Sequence, residues 1–128
     1  MFSQILLVGY VARKPDLRFT PSGTQVCNWS MATNRSYKKG DEWQDETCWF
    51  RVTEWGAHAS ARANHLDKGS LVLVVGRLNP DEFGNPPMYQ NKAGIHKATF
   101  EVTAERVKFL QRGEGATVEE FESEEVPF

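Results

Sequence analysis

Apolar and polar residues alternate along several short segments of the chain, and this period of two is typical of β-strands. Cys27, Trp29 and Met31, for example, are apolar, while the two residues between them are polar. Alternating segments, bounded by Gly, Pro and Asn, predict five strands over residues 5–11, 26–33, 47–55, 71–78 and 99–104. Gly9 is expected to bend or bulge the first of these strands. A further short apolar segment lies at residues 107–110.

One helix is predicted between the third and fourth strands. Residues 57–68 are rich in alanine, contain no Gly or Pro, and end before Gly69, a typical helix C-cap. Two long polar segments, 34–46 and 79–97, are predicted to be loops, the first a long hairpin with its tip at residues 38–41. Five short strands with one helix after the third match the five-stranded OB-fold barrel, an all-β architecture.

The predicted strand at residues 47–55 has an aromatic and cationic face. Alternate positions place Trp49, Arg51, Thr53 and Trp55 on one side, and the other side carries Cys48, Phe50 and Val52. Two flat π-faces beside a planar cation suit stacked nucleic-acid bases and a phosphate backbone. Because large aromatic side chains are usually buried, the same segment is also compatible with two core tryptophans.

The charge of the chain is divided unevenly. The 128 residues carry 15 Lys and Arg against 17 Asp and Glu, a net charge of −2. Residues 1–112 hold all 15 basic residues and 11 acidic ones, a net +4, whereas residues 113–128 hold six acidic residues and no basic one, a net −6. Residues 1–112 are therefore predicted to be one barrel domain suited to a polyanion. Residues 113–128 bury too little apolar surface to fold and are predicted to form a disordered acidic tail.

Common catalytic and metal-binding patterns are missing from the sequence. Cys27 and Cys48 form no CxxC motif and are expected to be reduced, buried thiols. The acidic residues at 41–46 fit a solvated hairpin, and His58 and His65 have no third ligand on the predicted helix. There is no P-loop and no GxSxG, and no apolar segment is long enough for a signal peptide or a membrane span. We expect a cytoplasmic protein that is not an enzyme and uses no cofactor.

Several short motifs follow one another along the chain: Ile5-Leu6-Leu7-Val8-Gly9, Asp16-Leu17-Arg18-Phe19-Thr20-Pro21-Ser22-Gly23, Trp29-Ser30-Met31-Ala32-Thr33, Trp49-Phe50-Arg51-Val52, Trp55-Gly56, Leu66-Asp67-Lys68-Gly69-Ser70, Val75-Gly76-Arg77-Leu78 and Val126-Pro127-Phe128. Each motif is weak alone, but their order and spacing together are specific. The chain resembles the bacterial-type single-stranded-DNA-binding proteins, a homotetrameric OB-fold family that coats single strands during replication and repair. The resemblance covers residues 5–110 and the extreme C-terminus.

The resemblance implies a role for particular residues. By position, the base-stacking aromatic residues of the family correspond to Tyr37 in the first long loop, to Trp49 and Trp55 on the third predicted strand, and to Phe83 in the second long loop. Arg51 corresponds to a basic residue on the same strand face. This assignment agrees with the period of two along residues 49–55.

Other positions are assigned to packing or to charge. Trp29 takes a position that the family fills with core residues, and it is assigned to packing. Asp81-Glu82 precede Phe83 where relatives often have basic residues, which predicts weaker binding of the DNA backbone by that loop. Basic residues of the barrel domain are candidates to contact phosphates, and these are Arg13, Lys14, Arg35, Lys38, Lys39, Arg51, Lys68, Arg77, Lys92 and Lys97.

The acidic tail ends in apolar residues, which a merely solvating tail does not need. Phe128 combines an aromatic ring with the free α-carboxylate, and Pro127 restricts the chain. The resemblance implies that the tip recruits replication, recombination and repair proteins and that the protein is a nucleoid-associated homotetramer. The residues assigned to partner binding are Glu124, Glu125, Val126, Pro127 and Phe128.

The expected function is binding of single-stranded DNA without strong sequence preference, with protection of the strand and delivery of partners through the tail. Two alternatives stay open. One is an OB-fold adaptor of the replication-restart type, against which Trp49, Trp55 and the acidic tip argue. The other is an RNA-binding OB-fold protein, because base stacking does not distinguish the two sugars. A hydrolase is a more distant alternative, which a metal-dependent cleavage assay discriminates.

Overall fold

Strands make up most of the structure. The computed structural model describes residues 1–112, and its elements follow the chain in the order β1 Ile5–Val11, β2 Asp16–Phe19, β3 Gln25–Lys39, β4 Glu42–Trp55, α1 Ala59–His65, β5 Leu71–Leu78, β6 Met88–Gln90, β7 His96–Ala98 and β8 Phe100–Gln111. Each of the five segments predicted as a strand lies largely or wholly within one of these strands, and the all-β fold class is confirmed.

Five of the strands close into a barrel. Around the ring the order is β1, β5, β8, β4 and β3, and β3 returns to β1 through the pair Tyr10↔Ala32. The pairing of β4 with β8 is parallel, with Phe50 opposite Phe100, while the other pairs of the ring are antiparallel. This closed ring is the predicted five-stranded OB-fold barrel.

The helix is shorter than predicted and comes later in the strand order. Residues Asp16–Phe19 form β2 on the edge of β3, so α1 follows the fourth strand of the chain rather than the third. α1 ends before Leu66, which is already extended. Gly69 is therefore not the helix cap. Its φ of 87° serves the turn into β5, where its N–H donates to the Val11 carbonyl. Within residues 1–112, no helix has the length and apolarity needed to cross a membrane.

Both long loops contain more strand than predicted. β3 and β4 pair continuously from Val26↔Trp55 to Lys39↔Glu42, so most of residues 34–46 is strand rather than loop. The turn itself falls inside the predicted tip at residues 38–41. In the second loop, β6 and β7 form a separate two-stranded hairpin. β8 is one continuous strand where the sequence pattern predicts two segments.

The core lies inside the barrel. Phe50 and Val52 of β4 and Val72 of β5 are inward-facing residues that are 7% exposed or less. Phe50 packs on Phe100, with ring centroids 5.6 Å apart, across the parallel pair that closes the barrel. Trp29 is 3% exposed and belongs to the core, which confirms its assignment to packing.

Two glycines allow strands of the barrel to approach each other closely. A Cβ atom at Gly9 would overlap the carbonyl oxygen of Ala32 in β3, and one at Gly76 would overlap the carbonyl oxygen of Thr103 in β8. The register of β5 on β8 shifts beside Gly76, so this glycine lies at a bulge. At Gly9 the register of β1 on β5 is continuous, so close approach takes the place of the expected bulge.

A partly buried ion pair holds α1 against the barrel. Glu54 of β4 is 8% exposed, and Arg62 of α1 donates to its Oε2 at 3.1 Å and to the Val107 carbonyl of β8 at 3.0 Å. Burial raises the pKa of Glu54, although the Arg62 charge partly opposes this. Cys27, opposite Glu54, is buried, and burial raises its pKa to about 11. Cys48 is only half-buried, so the prediction of two buried thiols holds for Cys27 alone.

Candidate nucleic-acid interface

β4 presents an aromatic and cationic outer face. Phe50 and Val52 point into the core, so Trp49, Arg51 and Trp55 lie on the opposite side of the strand, as their alternation predicts. Trp55 is 52% exposed, Arg51 is exposed and Trp49 is half-buried. Neither indole belongs to the hydrophobic core, which removes the alternative of two core tryptophans. We call Trp49, Arg51 and Trp55 the β4 face.

Short side chains of β3 lie beside the β4 face. Thr53, between Arg51 and Trp55, donates from its hydroxyl to Asn28 Oδ1 of β3 at 2.8 Å. This bond ties the two strands together between the guanidinium and the exposed indole. The residues of β3 opposite Trp49, Arg51 and Trp55 are Ala32, Ser30 and Val26.

A basic groove of about 490 Å³ lies beside the β4 face. Besides Arg51, the groove is lined by residues of β2, of β3 and of the segment before β2, namely Arg13, Lys14, Asp16, Arg18, Asn28, Trp29 and Ser30. Two of its four cations have acidic partners, at 2.9 Å for Lys14 and 2.6 Å for Arg18. The other two, Arg13 and Arg51, form no ion pair within residues 1–112.

The β3–β4 hairpin continues beyond the positions that pair with β1 and β8. This extension carries Tyr37, Lys38 and Lys39 of the predicted site. Lys38 and Lys39 are exposed next to the turn. By register, Tyr37 lies on the side of the hairpin opposite to Trp49. The Arg35 guanidinium carbon lies 5.1 Å from the centre of the Tyr37 ring. Tyr37 is therefore not part of the β4 face.

Trp43 is an exposed aromatic residue that the predicted site did not include. It is 71% exposed and lies opposite Lys38 on the hairpin. Counting back from Trp49 in steps of two through Thr47 and Asp45 leads to Trp43, so it shares the strand side of the β4 face. The same count along the sequence could have found it, but residues 34–46 are predicted as loop.

The remaining predicted residues lie elsewhere on the surface. Phe83 is 79% exposed in the segment before β6, and Lys92 is exposed in the turn between β6 and β7. Arg77 is exposed on β5, and Thr103 of β8 pairs with it on one side and with Thr53 of β4 on the other. The structure thus brings Arg13, Arg51, Trp49 and Trp55 to one region. It places the rest of the predicted site on the β3–β4 hairpin, in the segment at residues 79–97 and on β5.

The predicted partner-binding tip, like the whole predicted tail at residues 113–128, lies outside the described residues.

Within residues 1–112, no group of three or more His, Cys, Asp and Glu side chains is placed to hold a metal ion. Within residues 1–112, the candidate site therefore comprises the β4 face, the basic groove, the β3–β4 hairpin, the segment at residues 79–97 and Arg77 of β5.

A closed five-stranded barrel with indoles and a guanidinium on its outer face defines an OB-fold protein with the kind of surface that binds nucleic acids. A family model described as the Single-strand binding protein family matches residues 2–110. The chain belongs to that family.

Named relatives cover most of the chain. The chain is 34% identical over 118 residues to Single-stranded DNA-binding protein 2 of Clostridium acetobutylicum. The matched region covers 91% of this chain and 83% of that protein. The chain is also 36% identical over 110 residues to Single-stranded DNA-binding protein B of Bacillus subtilis. That matched region covers 86% of this chain and 91% of that protein. Among solved structures, the small single-stranded DNA-binding protein from Streptomyces coelicolor matches with a TM-score of 0.69 at 23% identity, covering 84% and 94% of the two chains, and supports the fold.

Proposed function

We propose that the protein binds single-stranded DNA without strong sequence preference, protects the strand and recruits partner proteins through its C-terminal tip. The proposed role is binding rather than catalysis. The observation that carries it is the β4 face, where the half-exposed indole of Trp55 lies on the same side of the strand as Arg51. The Arg51 side chain also lines the basic groove and forms no ion pair within residues 1–112. Relatives from the same family are named single-stranded DNA-binding proteins, which supports the same substrate.

Binding by this surface combines base stacking with neutralisation of phosphates. Trp49 and Trp55 offer flat π-faces to unpaired bases, and stacking tolerates any sequence because every base has such a face. Arg51 and Arg13 place positive charge beside the phosphate backbone of the DNA, between the stacked bases. We assign further stacking to Tyr37, Trp43 and Phe83, and we assign further phosphate contacts to Lys38, Lys39, Arg77 and Lys92.

A fluorescence titration tests the substrate. Poly(dT) is expected to quench tryptophan fluorescence, since its bases stack on the indoles, while duplex DNA, whose bases are paired, binds more weakly. The logarithm of the binding constant should fall with the logarithm of salt concentration, with a slope of about −0.7 for each phosphate neutralised. Binding of poly(rU) as tight as that of poly(dT) would favour the RNA-binding alternative. Failure to bind poly(dT), or an affinity independent of salt, contradicts the proposal.

The acidic tail is proposed to recruit partners. Residues 113–128 combine six acidic side chains with the apolar sequence Val126-Pro127-Phe128. The carboxylates steer the tail toward a basic partner surface, and the apolar side chains suit a pocket beside it. The proposed partners are replication, recombination and repair proteins, which meet the protein on single-stranded DNA at the cytoplasmic nucleoid.

Deletion of residues 126–128 is expected to abolish capture of those proteins on immobilised single-stranded DNA without lowering DNA affinity, because the apolar tip is lost and the barrel is untouched. A pull-down with each purified partner measures the effect. Phe128→Ala should lose capture, while the matched variant Phe121→Ala, in the same tail but upstream, should keep it. If capture survives the deletion, the tail only solubilises the protein.

The outer side of β1 and β5 is proposed to assemble the chain into a homotetramer. Apolar side chains face each other there across the two strands, Leu6 opposite Val75 and Val8 opposite Leu73. Leu6 is 64% exposed and Val8 is 47% exposed in the single chain. An apolar patch of this kind on a folded chain is typical of a surface that another protein covers.

Sedimentation at micromolar concentration is expected to report four subunits. Val8→Glu should give a smaller, still folded species, because an unpaired carboxylate is costly to bury in an apolar contact. Phe19→Glu places the same charge at another exposed apolar position, on β2, and should leave the assembly intact. A monomeric wild-type protein contradicts the proposed tetramer but not the proposed DNA binding.

A further inference from the structure

Two five-residue turns around β6 have the same hydrogen bonds. In residues 81–85, Asp81 Oδ1 accepts from the backbone N–H groups of Phe83 and Asn85, both at 2.9 Å. The Asp81 N–H donates to the Asn85 carbonyl at 2.7 Å, and the Gly84 N–H donates to the Asp81 carbonyl at 3.1 Å. Gly84 has a φ of 82°, a conformation that favours glycine. Four bonds therefore centre on one aspartate.

Residues 91–95 repeat this turn with an amide in place of the carboxylate. Asn91 Oδ1 accepts from the N–H groups of Ala93 at 3.0 Å and Ile95 at 2.9 Å. The backbone bonds between Asn91, Gly94 and Ile95 also correspond, and Gly94 has a φ of 81°. Both turns therefore use a side-chain oxygen at the first position, and the second turn forms without a negative charge there.

The two turns differ in what they carry at the third position. The first turn carries Phe83, whose side chain is 79% exposed, and the second carries Ala93. A side chain this exposed gains little order from packing, and the bond from the Phe83 N–H to Asp81 Oδ1 restrains the backbone that carries it. Restraining a binding group before the ligand arrives reduces the entropy lost on binding.

We propose that Asp81 is a positioning residue for single-stranded DNA, which orders the backbone of Phe83 so that its ring is presented to a base. This inference rests on the proposed function. The same carboxylate also opposes binding, because it places a negative charge near the phosphates. Asp81 therefore has two opposite effects, and substitution by asparagine or alanine separates them, since both remove the charge but only asparagine can keep the turn.

The comparison that tests this is Asp81→Asn against Asp81→Ala in poly(dT) titrations. Asp81→Asn should bind at least as tightly as the wild type, with the gain largest at low salt. Asp81→Ala should bind about two- to tenfold more weakly than Asp81→Asn, the range expected for losing exposed hydrogen bonds. Phe83→Ala alone should weaken binding by about fivefold or more, as loss of a stacked base predicts. In the Phe83→Ala background the difference between asparagine and alanine should vanish.

Hydrogen exchange of the Phe83 amide supplies a readout that does not depend on DNA. The amide should stay protected in Asp81→Asn and lose protection in Asp81→Ala. Asn91→Ala is the matched control, since it opens a turn of the same kind that has no aromatic residue at its third position. It is compared with the wild-type turn in a Lys92→Ala background, where the phosphate contact assigned to Lys92 is already absent, and there the DNA affinity should be unchanged. Equal affinity of the two Asp81 variants, or a difference that persists without Phe83, overturns the inference while leaving DNA binding intact. A wild-type protein that does not bind poly(dT) overturns the proposed function and, with it, this inference.

Discussion

Replacing Trp55 with alanine is expected to weaken binding of poly(dT) by about 1–3 kcal/mol, the range that alanine substitutions of stacking residues show in single-strand-binding OB folds. Trp55 is the more exposed indole of the β4 face, at 52%, so a base can reach it without rearrangement of the barrel. Trp49→Ala should lose affinity in the same range. Fluorescence or anisotropy titration at fixed salt measures both, and urea unfolding checks that each variant is folded.

A conservative variant separates stacking from folding. Trp55→Phe keeps a smaller π-face at the same position, so its affinity should fall between those of the wild type and Trp55→Ala. The salt dependence should change little in any of these variants, because no phosphate contact is removed. A folded double variant of Trp49 and Trp55 to alanine that binds poly(dT) normally would show that the β4 face is not the binding surface.

Gly76→Ala is expected to lower the free energy of unfolding by about 3 kcal/mol, at the upper end of the cost of overpacking. A Cβ atom there would overlap the carbonyl oxygen of Thr103, which is backbone and cannot rotate away. Gly9→Ala should destabilise for the same reason, since its Cβ atom would overlap the carbonyl oxygen of Ala32. Urea unfolding at one fixed protein concentration measures the effect, because assembly makes apparent stability depend on concentration.

Gly23→Ala is the matched control for these substitutions. Gly23 has a φ of 87°, but no atom lies within 4 Å of a Cβ atom built on it. Its replacement should therefore cost only the strain of a left-handed backbone, about 1–2 kcal/mol. If Gly76→Ala costs no more than Gly23→Ala, the close approach of β5 and β8 is not what requires glycine at position 76.

The strands and their inward and outward sides follow from local patterns. Phe50 and Val52 are buried and Arg51 and Trp55 exposed because neighbours along a strand point to opposite sides, whatever the strand pairs with. The same rule assigns the β4 face before any tertiary contact is known. The number and spacing of such segments were enough to predict the OB-fold barrel.

Local patterns fail where a strand has no apolar side. Residues 34–46 are mostly polar and charged, so they lack the alternation that marks a half-buried strand. In the structure they are held by pairing across the hairpin, from Asn34↔Thr47 to Lys39↔Glu42. This is why Trp43 did not enter the predicted site, although it shares the strand side of Trp49.

The closure of the barrel depends on residues far apart in the chain. Phe50 pairs with Phe100 and Gly76 with Ala104, and no local pattern identifies those partners. The bonds that Asp81 makes likewise depend on the backbone of the turn having formed. The five barrel strands, the outward indoles of β4 and the division into basic and acidic parts can be read from the sequence alone, because they follow from side chains and their spacing. The ring order, the continuous pairing along the β3–β4 hairpin and the groove beside Arg51 depend on the tertiary structure, because they require pairings that the whole chain selects together.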